Sequence, residues 1–186
     1  MNDREQWGLR LGILTEMVER APSRLGRTAI VKLVYLLQTV KEVPLGYHFG
    51  LYIYGPYEND VLSDLSQAEA LRAVRSSVVP HPKGYGYEFS PGPARERVKL
   101  FAGTALAKYR HAVLWALEEF GGKSAGELEL LSTIVYADRE ASQRRQRLSA
   151  GELCRQVLEI KPRFGPDYIA TALASLAEKG LLVATD

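Results

Sequence analysis

The stretch YHFGLYIYGPYENDVLSDL, residues 47–65, contains the clearest change of pattern in the chain. Its first half places apolar side chains at every second position: Tyr47, Phe49, Leu51 and Ile53. This period of two residues predicts a strand with one face in the core. Gly55-Pro56 predicts an abrupt end to the strand, because proline fixes φ near its helical value and suits a first helical turn. Glu58 and Asp60 follow where a helix N-terminus favours negative charge, so a strand-turn-helix is predicted here.

Helical patterns flank this stretch. Upstream, apolar residues at intervals of three and four predict helices over residues 3–20 and from residue 28 onward. The helix after the turn continues to about residue 71. Two strand-like runs then predict a β-hairpin with a loop of several residues at Pro80-His81-Pro82-Lys83-Gly84. The order helix, helix, strand, helix, hairpin is typical of a winged-helix-like fold.

The second half of the chain predicts helices, with a stub of strand at residues 181–183. Glycine, proline and two S-x-x-E capping boxes mark where these helices begin, break or end: Gly103, Ser124, Ser149, Pro166 and Gly180. We therefore predict a mainly α fold of the α+β class with a small antiparallel sheet and hairpin. We place a winged-helix-like region at residues 1–92 and a C-terminal helical region, packed on it, at residues 93–186.

Composition excludes several classes of protein. The chain has 24 Lys+Arg against 22 Asp+Glu, whereas a domain built to neutralise phosphates is usually far more basic. Cys154 is the only cysteine, which excludes an intramolecular disulfide and fits a reducing compartment. No segment approaches the roughly 18 to 20 apolar residues of a membrane span. We expect a cytoplasmic protein without a membrane partner.

No motif predicts an enzyme, a cofactor or a metal. Gly122-Lys123-Ser124 ends like a P-loop, but Leu117 stands where that motif needs its first glycine. Histidine and cysteine are scattered singly along the chain, so no metal-ligand spacing occurs: His48, His81, His111 and Cys154. We expect Cys154 to be buried, as lone thiols usually are.

Two further features leave alternatives open. Glu58, Asp60 and Asp64 share one predicted helix, where we interpret them as a solvated acidic face rather than as a cation site or an acid-base pair. Six of the ten tyrosines lie in the strand-turn-helix and the hairpin: Tyr47, Tyr52, Tyr54, Tyr57, Tyr85 and Tyr87. Such a cluster suits a packed sheet or a protein interface. We assign Tyr47 to the core and Tyr52 and Tyr54 to the opposite, partner-facing side.

Two short motifs carry a family resemblance. Lys32-Leu33-Val34-Tyr35-Leu36, followed by Tyr54-Gly55-Pro56-Tyr57, resembles the K-[LI]-x-Y-[LI] helix and the [YF]-G-P-[YV] turn of the Panacea domain. Within that family the chain is most similar to the uncharacterised bacterial YwgA-like proteins. The resemblance implies a mostly helical fold with a small sheet and no enzymatic activity. It also implies an antitoxin that neutralises a toxin by direct contact, or an adaptor that delivers its toxin to a protease.

The leading hypothesis is a non-enzymatic protein-binding module of the antitoxin or adaptor kind. Its partner would be a protein, such as a toxin or a protease complex, and a homodimer stays open. The predicted partner contacts are Tyr52, Tyr54, Tyr57, Glu58, Asp60 and Asp64, and the structural motif comprises Lys32, Tyr35, Gly55 and Pro56. The alternative is a winged-helix transcriptional regulator that uses Arg144 and Arg145 on DNA. The acidic surface of the helix over residues 58–71 makes nucleic acid the less favoured partner.

Overall fold

A computed structural model describes residues 2–81 and 84–185. The helices are α1 Asp3–Arg20, α2 Arg27–Val40, α3 Asn59–Ala70, α4 Arg95–Phe120, α5 Ala125–Gln143, α6 Ala150–Ile160 and α7 Pro166–Glu178. The strands are β1 Leu25–Gly26, β2 Gly50–Tyr52, β3 Gly55–Tyr57, β4 Val74–His81 and β5 Gly84–Pro91. The predicted mainly α fold with a small antiparallel sheet is confirmed.

The described chain divides into two compact units. Unit 1 contains residues 2–49 and 58–125, and unit 2 contains residues 50–57 and 126–185. The boundary that we predicted between residues 92 and 93 does not separate these units. The reason is that α4 packs on α1 and so joins unit 1, while the short hairpin of β2 and β3 joins unit 2.

Unit 1 buries α2 almost completely over residues 29–37 and covers it with the other helices and a three-stranded sheet of order β1-β5-β4. In that sheet Val74 pairs with Pro91 at one end and His81 with Gly84 at the other. The predicted hairpin is therefore confirmed but longer than expected, and the Pro82-Lys83 part of its predicted loop lies outside the described residues. The two-residue strand β1 had no sequence signal.

The two longest helices of unit 1 approach closely because glycine lies at their contact. A Cβ on Gly12 of α1 would stand 2.5 Å from Ala102 Cβ of α4. One residue further along, α4 breaks at Gly103, which has φ 54° and ψ −131°. The predicted interruption at this glycine is confirmed. Its backbone conformation is one that residues with a side chain rarely adopt.

Unit 2 contains α5, α6, α7 and the short β2–β3 hairpin. Both helices that we predicted after capping boxes begin where expected, and Ser149 and Glu152 exchange the two hydrogen bonds of such a box at α6. The amphipathic helix α7 turns three side chains inward: Ile169, Leu173 and Leu176. The predicted strand at residues 181–183 does not form. Instead, the carboxylate of Asp138 accepts hydrogen bonds from the backbone amides of Val183 and Ala184, at 2.8 and 2.9 Å.

The predicted strand-turn-helix is the main correction. The strand is only β2, and Gly55-Pro56 does not begin a helix: it forms β3, which pairs antiparallel with β2 and places Tyr52 opposite Gly55. Gly55 has φ +83°, a conformation that glycine accepts without strain, so the chain reverses at Ile53-Tyr54. Helix α3 begins only at Asn59, after the N-cap residue Glu58.

This reversal changes which side chains enter the core. Tyr47 is 5% exposed and lies in the core of unit 1, as predicted. Leu51 and Ile53 were predicted on the same inward face, but they are 38% and 83% exposed. Ile53 belongs to the two-residue turn, whose side chains lie at the tip of the hairpin and outside any continuous strand face, whereas Leu51 lies in the short strand β2, opposite Pro56. The alternating pattern thus ends at Phe49.

Candidate functional site

The tip of the β2–β3 hairpin in unit 2 exposes three large side chains in succession. Tyr52 is 63% exposed, Ile53 is 83% exposed and Tyr54 is 63% exposed. Side chains of this size and polarity are usually at least partly covered in a folded protein. An uninterrupted run of them on a short turn is a candidate contact surface.

The base of this hairpin is fixed against α5. Gly55 and Pro56 are both buried. A Cβ on Gly55 would stand 2.7 Å from Thr133 Oγ1 and 3.3 Å from the carbonyl oxygen of Glu129. Glycine at this position therefore allows both the turn and the close approach to α5. Tyr52 also packs edge-on against the Tyr57 ring, with centroids 5.4 Å apart.

A buried ion pair holds the tip itself. Lys161 Nζ donates hydrogen bonds to the carbonyl oxygen of Ile53 and, at 2.8 Å, to Glu129 Oε1. Lys161 is 2% exposed and Glu129 is 4% exposed. The second carboxylate oxygen of Glu129 accepts a hydrogen bond from Arg163 Nη2. One carboxylate thus connects the hairpin tip with the segment between α6 and α7.

That segment and the first turn of α7 together add three side chains to the exposed surface. The guanidinium carbon of Arg163 lies 4.8 Å from the centroid of the Phe164 ring. Phe164 stacks on Tyr168 with centroids 5.9 Å apart, and Tyr168 is 48% exposed. We define the aromatic surface of unit 2 as Tyr52, Ile53, Tyr54, Arg163, Phe164 and Tyr168.

The second half of this surface is not predicted by the sequence. Lys161-Pro162-Arg163-Phe164 is a readable run of cations and an aromatic, but nothing in the order of residues shows that it meets residues 50–57. A contact over more than one hundred positions needs the folded chain. Tyr85 and Tyr87, which we expected beside the other tyrosines, belong to the separate sheet of unit 1.

No protein-family model and no curated protein matches the chain. The resemblance to the Panacea domain, the antitoxin or adaptor role and the absence of enzymatic activity therefore stay predictions. Among the described residues, none of the helices combines the length and the hydropathy that a membrane crossing requires. Within residues 2–81 and 84–185, no three histidine, cysteine or carboxylate side chains group as metal ligands would.

The predicted partner contacts fall in different units. Tyr52, Tyr54 and Tyr57 lie in unit 2, whereas the predicted carboxylates lie on or next to α3 in unit 1. The Glu58 side chain accepts a hydrogen bond from the amide of Asp60 at 3.1 Å and caps α3. The Asp60 side chain is exposed, as expected for an acidic face.

Asp64 contradicts the predicted solvated acidic face, because it is only 5% exposed. Its carboxylate accepts a hydrogen bond from the Tyr47 hydroxyl at 2.8 Å and lies 3.6 Å from Arg10 Nη1. An aspartate turned inward to these side chains is not free to contact another protein. Asp64 therefore has a structural role in unit 1, which the i, i+4 spacing from Asp60 did not reveal.

The helix residues of the predicted structural motif are buried in the core, whereas the lone cysteine is not fully buried. Lys32 and Tyr35 are buried at 2% and 4% exposure, and Tyr35 packs edge-on against Phe49 at 5.1 Å. Our prediction that Cys154 is buried is wrong, since the thiol is half-buried. The inward stripe of α6 belongs to Leu153 and Val157, which leaves Cys154 at its edge.

Asp64 leads to a prediction about pH. Burial raises the pKa of Asp64 above its ordinary 3.8, against the opposing effects of the Tyr47 hydroxyl and Arg10. A carboxyl group with a raised pKa binds its proton more tightly in the folded chain. Its contribution to stability is fully present below its unfolded pKa and is lost as pH rises through its folded pKa. We therefore expect Asp64→Asn to gain stability relative to the natural chain as pH rises through that window.

Urea denaturation of both chains between about pH 3 and pH 8 measures this difference. The amide that replaces the carboxyl group keeps an acceptor for the Tyr47 hydroxyl, so the variant should fold. A difference in the free energy of unfolding that stays constant across this range would contradict the prediction. A difference that moves in favour of the natural chain with rising pH would contradict it too.

Proposed function

We propose that this chain is a non-enzymatic protein-binding module of the bacterial cytoplasm, of the antitoxin or adaptor kind. Its partner is a protein, and the aromatic surface of unit 2 is the contact region. The supporting observation is the hairpin tip, where Tyr52, Ile53 and Tyr54 stand exposed in succession on a firmly held turn.

The composition of the aromatic surface supports this proposal. Tyrosine, phenylalanine and arginine are enriched at protein interfaces, and the few residues that dominate binding energy are most often tryptophan, tyrosine or arginine. Arg163 is held by Glu129 and the Phe164 ring, so its guanidinium is positioned before any partner arrives. The isoleucine at the tip supplies an apolar anchor between two tyrosines.

The fixed conformation of the hairpin supports it further. Ordering a loop on binding costs free energy, and a loop held in one conformation avoids much of that cost. Three independent features hold this hairpin: the buried Gly55, the Tyr52–Tyr57 ring contact and the bond from Lys161 to the Ile53 carbonyl. Such an arrangement is typical of a preformed recognition element.

The DNA-binding alternative has weaker support. The exposed side chains of α3 include no cation: Asn59, Asp60, Ser63, Ser66, Gln67 and Ala70. Arg144, directly after the end of α5, is exposed and pairs with Glu140 of that helix, at 3.1 Å. Salt-sensitive binding of duplex DNA that is weakened by removing Arg144 and Arg145 would favour the alternative instead.

A capture experiment tests the proposal. A tagged copy purified from its own host should retain a protein in stoichiometric amount. Tyr54→Ala and Ile53→Ala should reduce the partner's affinity about tenfold or more, as removal of a central aromatic or apolar anchor usually does. Isothermal titration with the purified partner measures the change.

Tyr85→Ala is the matched control. Tyr85 is 82% exposed on β5 of unit 1, outside the aromatic surface, and its removal should leave the affinity unchanged. All three substitutions are at exposed positions, so unfolding midpoints should change little. Failure to capture any stoichiometric partner would refute the proposal. Equal affinities for Tyr54→Ala and the natural chain would refute the assigned surface.

A further inference from the structure

A second surface, in unit 1, has the shape and charge of a binding groove. It is an open groove of about 710 Å³ between the first turns of α1 and the break in α4. Gly8, Pro44 and Phe101 form its apolar part, and Arg4, Lys108 and Tyr109 lie along its edges. The aromatic surface of unit 2 includes none of these residues.

Local sequence explains why the groove is open. Gly8 is buried, and a Cβ there would lie 3.1 Å from Phe101 Cε1, so glycine at this position lets the Phe101 ring lie close against α1 and form the floor of the groove. Phe101 is held edge-on against Trp7 with ring centroids 5.6 Å apart, yet it stays 45% exposed. The helix break at Gly103 leaves space where a continuous helix would present a side chain, since no atom lies within 4 Å of that position.

The charged side chains that line the groove have a net positive charge, with Arg4 and Lys108 against Glu5. The Arg4 guanidinium carbon lies 5.6 Å from the Phe101 ring centroid, and Lys108 Nζ lies 5.1 Å from the Tyr109 ring centroid. Both cations are exposed, and neither forms an ion pair with a carboxylate of the described residues. Glu5 is the one carboxylate among the described lining residues; it accepts a hydrogen bond from the amide of Asn2 in the cap of α1, at 3.0 Å, and keeps its negative charge.

We propose that this groove binds a short acidic, amphipathic segment of a partner protein. An apolar side chain of that segment packs against Pro44 and Phe101, and its carboxylates pair with Arg4 and Lys108. Charge complementarity selects this occupant, because a basic segment would meet two cations at the edge of the groove. The exposed Phe101 ring supplies apolar contact, and the two cations, Arg4 and Lys108, set the preference for an acidic sequence.

Two labelled synthetic peptides test this assignment by fluorescence anisotropy with the full chain. Both contain the same leucine and phenylalanine residues at helical spacing, and the polar positions are aspartate in one and lysine in the other. The aspartate peptide should bind saturably, and more weakly at higher salt, whereas the lysine peptide should not. Arg4→Ala and Lys108→Ala should each weaken binding about two- to fivefold, the range for exposed ion pairs.

Neighbouring residues provide the controls. Arg97→Ala removes an exposed cation that does not line the groove and should leave binding unchanged. Phe101→Ala should weaken binding, whereas Leu100→Ala, at an 80% exposed position next to it, should not. Circular dichroism of each variant confirms that it is folded. Absence of saturable binding, equal binding of the two peptides, or equal effects of Arg97→Ala and Lys108→Ala would each overturn the proposal.

Discussion

Replacing Lys161 by methionine should lower the free energy of unfolding by about 3 kcal/mol. Lys161 is the buried partner of Glu129, and the carboxylate of Glu129 is only 5% exposed in its side chain. Removal of the ammonium group leaves the buried carboxylate of Glu129 with Arg163 as its one remaining ion-pair partner. The Arg163 side chain is 55% exposed and therefore hydrated, so it compensates the buried charge only in part. The carbonyl oxygen of Ile53 loses its donor as well.

Urea denaturation followed by far-ultraviolet circular dichroism measures this loss. Tryptophan fluorescence reports on unit 1, because both tryptophans, Trp7 and Trp115, lie there. It is an internal reference for Lys161→Met, which changes a residue of unit 2. Arg155→Met, on the helix α6 that ends just before Lys161, is the matched control. Arg155 is exposed, so its replacement should change the free energy of unfolding by less than about 0.5 kcal/mol.

The double variant Lys161→Met/Glu129→Leu separates the cost of an unpaired charge from the value of the pair. An apolar pair of similar volume often replaces a buried ion pair with little loss, so the double variant should recover most of the stability that Lys161→Met loses. A single variant that loses less than about 1 kcal/mol would contradict the argument. A double variant that is less stable than the single one would contradict it as well.

Gly12→Leu should destabilise unit 1 by about 3 kcal/mol. A Cβ alone on Gly12 would stand 2.5 Å from Ala102 Cβ and 3.3 Å from Leu106 Cδ2. These neighbours belong to α4, whose backbone cannot move away from Gly12 without separating α1 from α4. The intrinsic helix preference of leucine over glycine is worth only about 1 kcal/mol, so overpacking determines the sign.

The same substitution at Gly151 is the control. Gly151 lies near the start of α6 and has no heavy atom within 4 Å of a Cβ built there. Gly151→Leu should therefore leave stability unchanged or raise it by up to about 1 kcal/mol. Tryptophan fluorescence during urea denaturation reports on unit 1 and should shift for Gly12→Leu. Equal effects at the two glycines would show that helix packing is not the cause.

Much of the helical structure follows from local sequence. The helices over residues 3–20, 95–120 and 150–160 have apolar positions at helical intervals and caps that depend on a few neighbouring residues. The box at Ser149 needs only Glu152, three positions away. Such features act over one or two turns, so their physical causes are visible in the order of residues.

The candidate site was less predictable, because long-range packing determines it. The Tyr54-Gly55-Pro56-Tyr57 segment has the residues of a strand-to-helix turn, yet it returns along β2 as β3. The buried Gly55 fits against Thr133 and Glu129 of α5, and no local rule includes those positions. Tertiary contact therefore overrides the usual preference of Gly-Pro for ending a strand.

The exposure of charged groups shows the same dependence. Asp60 and Asp64 are equivalent in sequence terms, one helical turn apart on α3, but only Asp60 faces solvent. Asp64 turns towards Tyr47 and Arg10, which arrive from other parts of unit 1. Whether a carboxylate is an exposed contact or a buried partner depends on what packs against its side of the helix.

The order of residues was enough to predict the mainly α class, the β4–β5 hairpin and most helix boundaries, because periodicity, caps and turn residues act between near neighbours. Three features became visible only in the folded chain: Ile53 is exposed, Lys161 supports the hairpin tip, and α4 belongs with α1. Burial and buried charge pairing depend on residues far apart in the chain, and such residues meet only after folding.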